Sequence, residues 1–362
     1  MIKFLVYIAI ILTALAIGYL VRILELSATL KESKPEVVTD KDNKTQAKLM
    51  LLFLFAFFAF TTWNLIEYIP KMLPIAASEH GVAIDFLFNF NMLIIFIVFA
   101  ITQFLLFYFA FKYYGRKGRV ATFLAHDNKL EMIWTVIPAI VLAVIIIFGL
   151  RTWNKITSDP NPASTVVEIY GKQFDWTARF AGADNKLGKA NYRLISSTND
   201  LGLDSTSAEG MDDILVKNEI HLPVNKEVAF NFRSRDVIHS AYFPHFRAQM
   251  NVVPGMTTMF HFTPTITTAE MRKNPDVIRQ MKEINAIRQE KAKKEGRTET
   301  PVEFDYILLC NKICGVSHYN MQMTIVIDSE EDYKKWLSGK KPFFKKATAS
   351  VDSKNIQIAE KK

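Results

Sequence analysis

Cys310 and Cys314, the chain's two cysteines, stand in the run LLCNKICGVSHYNMQM and are followed closely by His318 and Met321. Two thiolates, an imidazole and a thioether thus fall in one short segment, the mix of soft and borderline donors that selects copper. His239, in the upstream run RDVIHSAYF, offers a second imidazole at the end of an alternating apolar stretch, where a strand could present it beside the loop. A single copper of the blue type takes two His, one Cys and a weak axial Met, so one thiolate is surplus to it. Two bridging thiolates account for the surplus, holding two copper ions with one His each and a Met on one of them. A disulfide between Cys310 and Cys314 competes poorly, because so short a loop gains little and strains easily. Zinc competes poorly as well, since it favours other Cys and His spacings and Met is a poor ligand for it.

Donors of this kind need a rigid frame. From about Ala163 the chain turns to short alternating runs separated by turn residues, among them STVVEIYGKQFDWTARF, KEVAFNFRSRDVIHSAYF, FDYILLCN and MQMTIVIDS. That pattern predicts an all-β sandwich or barrel. It puts His239 at a strand end and the segment from Cys310 to Met321 in the loop between the last two strands. Between Thr267 and Thr300 a polar segment rich in Lys, Arg, Glu and Gln predicts one or two solvated helices over Ala269 to Glu295, with Pro275 starting the second. After Trp336 the chain becomes a Lys- and Ser-rich tail without periodicity, expected to be disordered.

In front of this domain the composition is that of a membrane protein. The chain has 362 residues, 50% of them hydrophobic and 28 of them Phe, and the apolar residues concentrate in the first 150. Runs long enough to span hydrocarbon occur at Phe4 to Val21, Leu49 to Ile66, Met92 to Phe111 and Ile133 to Leu150, predicting four spanning helices. The first run could be a signal peptide, but loop charge argues for its retention. Arg22, Lys31, Lys34, Lys41, Lys44 and Lys48 follow the first run, and Lys112, Arg116, Lys117, Arg119 and Lys129 follow the third, whereas Lys71 alone follows the second. Basic loops stay in the cytoplasm, so everything after Leu150 is expected outside. These loops and the basic tail also carry most of the net charge of +8, which therefore does not indicate nucleic acid. There is no Gly-rich phosphate loop and no Cys-x-x-Cys-His haem attachment motif, so no haem is expected on this chain. Glu131 opens the fourth run at its cytoplasmic boundary. It is either an ordinary acid complementing the helix dipole or the start of a proton path.

Together these residues resemble subunit II of cytochrome c oxidase, the haem-copper respiratory oxidase, over roughly Met92 to Trp336. The resemblance rests on Cys310, Cys314, Gly315, His318 and Met321; on Asp236, Val237, His239 and Ser240; on Val252, Val253, Pro254 and Gly255; and on Glu131, Trp134, Thr135, Pro138 and Ala139. It implies a cupredoxin-like Greek-key domain with a binuclear CuA centre. Cys310 and Cys314 would bridge two coppers, with His239, His318, Met321 and the backbone carbonyl of Lys312 completing the ligands. It further implies electrons arriving from a c-type cytochrome and leaving toward the haems of subunit I, reduction of O2 to water coupled to proton translocation, and Glu131 at the mouth of a proton channel. The implied place is the bacterial inner membrane, multi-pass, with the copper domain on the periplasmic side.

The chain departs from the family pattern at named positions. The acid usual between the cysteines is Lys312, and the Asp usual before the Pro-Gly turn is Asn251, which puts a magnesium site in doubt. The aromatic patch for electron uptake reads Gly171, Gln173, Phe174 and Trp176, and is assigned to Trp176 with Phe174 beside it. An acidic docking face would draw on Asp204, Glu209, Asp212 and Asp213. The domains expected are an extra amino-terminal region over 1–90 with two spans, a helix hairpin over 91–155, the exported copper domain over 156–338 with its polar insert at about 267–300, and the tail over 339–362. The alternative function is a membrane-anchored copper carrier or assembly protein.

Overall fold

The computed structural model describes residues 2–31 and 38–344. By mutual contacts the chain divides into residues 1–70 with 95–127, and residues 71–94 with 128–362.

The first unit is helical. It holds α1 (Ile2–Lys31), most of α2 (Asp40–Met72) and the carboxy-terminal part of α3 (Glu79–Lys112). Thr39 caps α2: its hydroxyl accepts from the Asp42 N–H at 3.3 Å, while its own N–H donates to the Asp42 carboxylate at 3.1 Å. Aromatic side chains zip α2 to α3, with Phe53 against Phe107 at 5.2 Å and Phe57 against Phe99 at 5.8 Å between ring centroids. The Asn43 amide donates to the Gly115 carbonyl at 3.2 Å and the Lys117 N–H to Asp40 at 2.9 Å. The start of α2 and the chain after α3 therefore share one side, as loops of equal basic character should. Among the described residues three helices are long and apolar enough to cross a membrane: α2, α3 and α4 (Asn128–Thr157). The expected count of four is corrected to these three. The first run does form α1, but its side chains are described only over residues 11–27, and these already include Arg22 and Glu25.

The second unit is a ten-stranded sandwich with its helical supports. One sheet has the order β3 (Ile214–Lys217), β2 (Asp175–Phe180), β1 (Thr165–Lys172), β5 (Val228–Ser234), β8 (Thr258–Phe262). The other runs β4 (Glu219–Pro223), β10 (Gln322–Asp328), β9 (Tyr306–Cys310), β6 (His239–Phe243), β7 (Ala248–Val252). The β1–β5 and β4–β10 pairs are parallel and the rest antiparallel, so the chain crosses between sheets by long connections. Alternation drives the packing: Met323, Ile325 and Ile327 of β10 and Tyr306, Leu308 and Cys310 of β9 all point inward and are buried. They meet Trp176, Phe180, Phe230, Phe232, Phe243 and Phe262 in one core. Each such side chain contributes about 1.5–3 kcal/mol by leaving water.

The link from α2 to α3 seats on this sandwich. Ala77 N–H donates to the His245 carbonyl at 2.7 Å, the Ser78 hydroxyl to the Phe246 carbonyl at 2.7 Å, and Glu79 N–H to the Thr263 carbonyl at 3.1 Å. The Arg247 guanidinium clamps Asp85 near the start of α3 at 2.7 Å. Hence the link bearing only Lys71 lies on the same side as the β domain, which is what the loop charges require.

The polar segment folds as α5 (Thr268–Met271) and α6 (Pro275–Lys294). Thr267 and Glu270 form a reciprocal capping box, and Asn274 caps α6 with Pro275 in its first turn. Met271 of α5 and Val277 of α6 bury against the core with Met281 packed beside them, Ala292 is buried near the end of α6, and most of its other residues face solvent. A last helix, α7 (Glu330–Ser338), capped by Ser329, packs on the sandwich through Tyr333 and Trp336. The expected tail begins in order, since Phe343 N–H donates to the Asp213 carbonyl at 2.7 Å and Phe343 and Phe344 pack on Tyr170, Leu201 and Leu203. Its remainder, from 345 on, lies outside the described residues.

Candidate metal centre

Period-two alternation places His239, Ala241 and Phe243 on the core face of β6, and Cys310 on the core face of β9. Ala241 pairs with Cys310 across the ladder, so His239 and Cys310 are diagonal neighbours on one face. The loop leaving β9 is pinned at both ends: Asn311 N–H donates to the Ser240 carbonyl at 2.9 Å, and Cys310 N–H to the Met321 carbonyl at 3.1 Å. Within it Gly315 adopts φ 142°, where a Cβ would also stand 2.8 Å from the Phe174 ring. Glycine alone fits both demands.

This arrangement gathers the donors. The two sulfurs lie 3.9 Å apart, unbonded and buried, so no disulfide forms between them. Cys310 Sγ is 3.9 Å from His239 Nδ1 and 3.2 Å from the Lys312 carbonyl. Cys314 Sγ is 3.6 Å from His318 Nδ1 and 3.8 Å from Met321 Sδ. His239, Cys310 and Cys314 by themselves form a group whose ligand atoms all lie within 4.8 Å, able to hold a metal ion. The sulfur spacing is less than twice a metal–thiolate bond of about 2.3 Å, so one ion can touch both sulfurs. With one imidazole against each sulfur, the donor set fits a thiolate-bridged site. Burial, reinforced by the neighbouring Cys310, pushes the Cys314 thiol up to about 11. A metal that claims this sulfur must displace a proton.

A second layer holds these donor side chains. The Asp236 carboxylate meets His239 Nε2 at 2.9 Å and accepts the Gln173 N–H at 2.8 Å, which leaves Nδ1 of His239 to face the sulfurs. The Gln173 side chain donates to the Cys314 carbonyl. Trp176 packs edge-on to His239 at 5.8 Å, and Gly171 lets both rings approach, since a Cβ there would stand 2.9 Å from Trp176 and 3.2 Å from His239.

The six donors expected from sequence therefore converge. The aromatic pair does not behave as expected: Trp176 is fully buried, so it is no surface for a partner but the wall behind His239, and Phe174 is half-buried against Gly315. The exposed rim consists of Ile313, Val316 and Tyr319, at 87, 89 and 85% exposure, residues that sequence reasoning passed over. Their signal was available: large apolar side chains inside a loop that also carries the candidate metal donors. Asp213 is corrected too. It is wholly buried and paired with Arg179 at 3.2 Å, itself bound to Glu168, so it belongs to an internal ion network and to no docking face. The Lys312 and Asn251 side chains are exposed, and neither carries a carboxylate. Glu131 sits in the first turn of α4, about 40 Å along that helix from the β domain at a rise of ~1.5 Å per residue.

Residues 60–152 match a family model described as cytochrome c oxidase subunit II, transmembrane domain. The chain is 33% identical over 255 residues to the alternative cytochrome c oxidase subunit 2 of Bradyrhizobium diazoefficiens, covering 70% of this chain and 77% of that protein. It is 24% identical over 280 residues to cytochrome c oxidase subunit 2 of Cereibacter sphaeroides, covering 74% and 78%. Among solved structures, the periplasmic domain of subunit II of cytochrome oxidase of Bradyrhizobium japonicum aligns over 49% of this chain and 94% of its own at 18% identity, with a TM-score of 0.28.

Proposed function

Because this chain belongs to the cytochrome c oxidase subunit II family, we propose that it is the electron-accepting subunit of a haem-copper oxidase, with a binuclear CuA centre at the tip of its β domain. One observation carries the reading: two unbonded thiols 3.9 Å apart, each with its own imidazole, under a Met and a backbone carbonyl. The ligands would be His239, Cys310, the Lys312 carbonyl, Cys314, His318 and Met321. When bound, a thiolate-bridged copper pair takes up and releases one electron at a time. The chain's part is to keep donor positions fixed through both states, which two strand ends, a pinned loop and the Asp236–His239 contact do.

A c-type cytochrome would dock over Ile313, Val316 and Tyr319, with Phe174 beneath them and Trp176 behind His239. Electrons would pass to the haems of subunit I, where O2 is reduced to water. Glu131, at the opposite end of α4, would open a proton path on the cytoplasmic side, with the β domain outside an inner membrane. The acid positions expected of the family hold Lys312 and Asn251, whose side chains would not ligate a magnesium as carboxylates do. A membrane-anchored copper carrier would present an accessible, labile site, which suits buried donors less well. Stopped-flow mixing with reduced cytochrome c tests the proposal: the copper chromophore should bleach as the cytochrome oxidises, and Tyr319→Ala should slow the second-order phase about tenfold while leaving the spectrum unchanged. A centre that never exchanges electrons with any c-type cytochrome would point to the carrier.

A further inference from the structure

At the other end of the sandwich's strands two histidines line one cavity. His80, in the first turn of α3, and His261, on β8, are 8% and 9% exposed, and Nε2 of each is buried without a hydrogen-bond partner. Both line one cavity of about 40 Å³, whose walls also include Glu79, Lys155, Ile156, Glu227 and Phe262. An unpaired buried ring nitrogen costs about 1–3 kcal/mol, and two of them on residues lining one small cavity can share a common partner.

The other nitrogen of each ring is already used. His261 Nδ1 lies 3.2 Å from a Glu227 oxygen, and the second Glu227 oxygen is held by the Asn161 N–H at 2.7 Å and by the Ser164 hydroxyl. The remaining ring nitrogen of His80 meets the backbone of Arg247, and Phe260 stands edge-on to that ring at 5.6 Å. Orientation by a carboxylate or a carbonyl on one nitrogen, with a bare lone pair on the other, is the state of a metal-ligating imidazole. Glu79, bound to Lys155 at 3.0 Å at the rim, leaves the surroundings net negative together with Glu227. The volume admits one ion with a water.

We propose that His80 and His261 bind a borderline divalent cation of the zinc class through their Nε2 atoms, with water completing the shell and Glu227 as the positioning residue for His261. Such an ion would staple α3 to β8 and so fix the foot of the β domain on its helix. It uses none of the donors of the sulfur site.

Co2+ binding to the full chain in detergent tests this, with the copper centre loaded and again in the Cys310→Ser background. The expected result is one further Co2+ per chain in both, with d–d absorption but no thiolate charge-transfer band, displaced by Zn2+, and a rise in Tm on binding. His80→Gln and His261→Gln should each abolish it with the copper spectrum of the loaded chain intact, and Glu227→Gln should weaken it about 10–100-fold. If one His variant does not fold, the other and Glu227→Gln decide. No additional Co2+, as a bridging water alone would give, or equal binding by the variants, overturns the proposal.

Discussion

The two ends of the sandwich each use a pair of histidines, but they are assembled in opposite ways. At the tip, His239 comes from a strand end and every other donor from the twelve positions Cys310–Met321, so the chain's local order already brings sulfur next to imidazole. At the foot, the groups come from α3, α4, the turn before β5, and β8, and meet only because Ala77, Ser78 and Glu79 dock on the sandwich. The tip is a motif and the foot is a tertiary accident made permanent by packing. A motif can be broken by one atom, whereas the foot answers to changes far from it.

The sharpest way to break this contrast is at the two sulfurs of Cys310 and Cys314. Cys310→Ser should abolish the two-copper spectrum completely while the fold survives, and a persisting binuclear signal would remove the bridge from the account. Next in size is the hold on His239. Asp236→Asn should weaken copper retention about 10–100-fold, measured by competition with a chelator, because the ring exchanges a charged carboxylate acceptor for a weaker amide one. Unchanged retention would mean that the strand alone fixes the ring.

A control comes from neither end. Burial raises the Asp213 carboxyl to about 6 against the pull of Arg179, above the ~3.9 of an unfolded chain. The folded state therefore holds this proton more tightly. The stabilisation is complete below about pH 4 and is lost as pH rises through about 6, on the order of 1–3 kcal/mol. Asp213→Asn should flatten that slope in urea titrations of the full chain, without moving the copper spectrum. The smallest effect concerns the far end of α4. Glu131→Ala should slow oxidase turnover and leave the copper spectrum intact, and an unchanged rate would return Glu131 to a helix-dipole role.

Sequence alone carried the tip because period-two alternation and a compact run of donors are both local signals. Met323, Ile325 and Ile327 declare the inward face, and Cys310 follows from the same count on its neighbour strand. Pro275 likewise marks the start of α6. What could not be read is what burial decides. Trp176 looked like a contact aromatic and is a wall; Asp213 looked like a surface acid and pairs with Arg179. Both sit in runs whose composition is the same whether the side chain faces water or another sheet. His80 and His261 are 181 positions apart, and no spacing rule connects them. The Asp85–Arg247 clamp is invisible for the same reason.

The most direct test of the central claim is a copper count joined to electron paramagnetic resonance on the loaded, oxidised chain. Two coppers per chain are expected at the Cys310–Met321 loop, with one unpaired electron whose hyperfine pattern requires two copper nuclei. One copper with single-nucleus hyperfine splitting, or a labile copper(I) without signal, would contradict it.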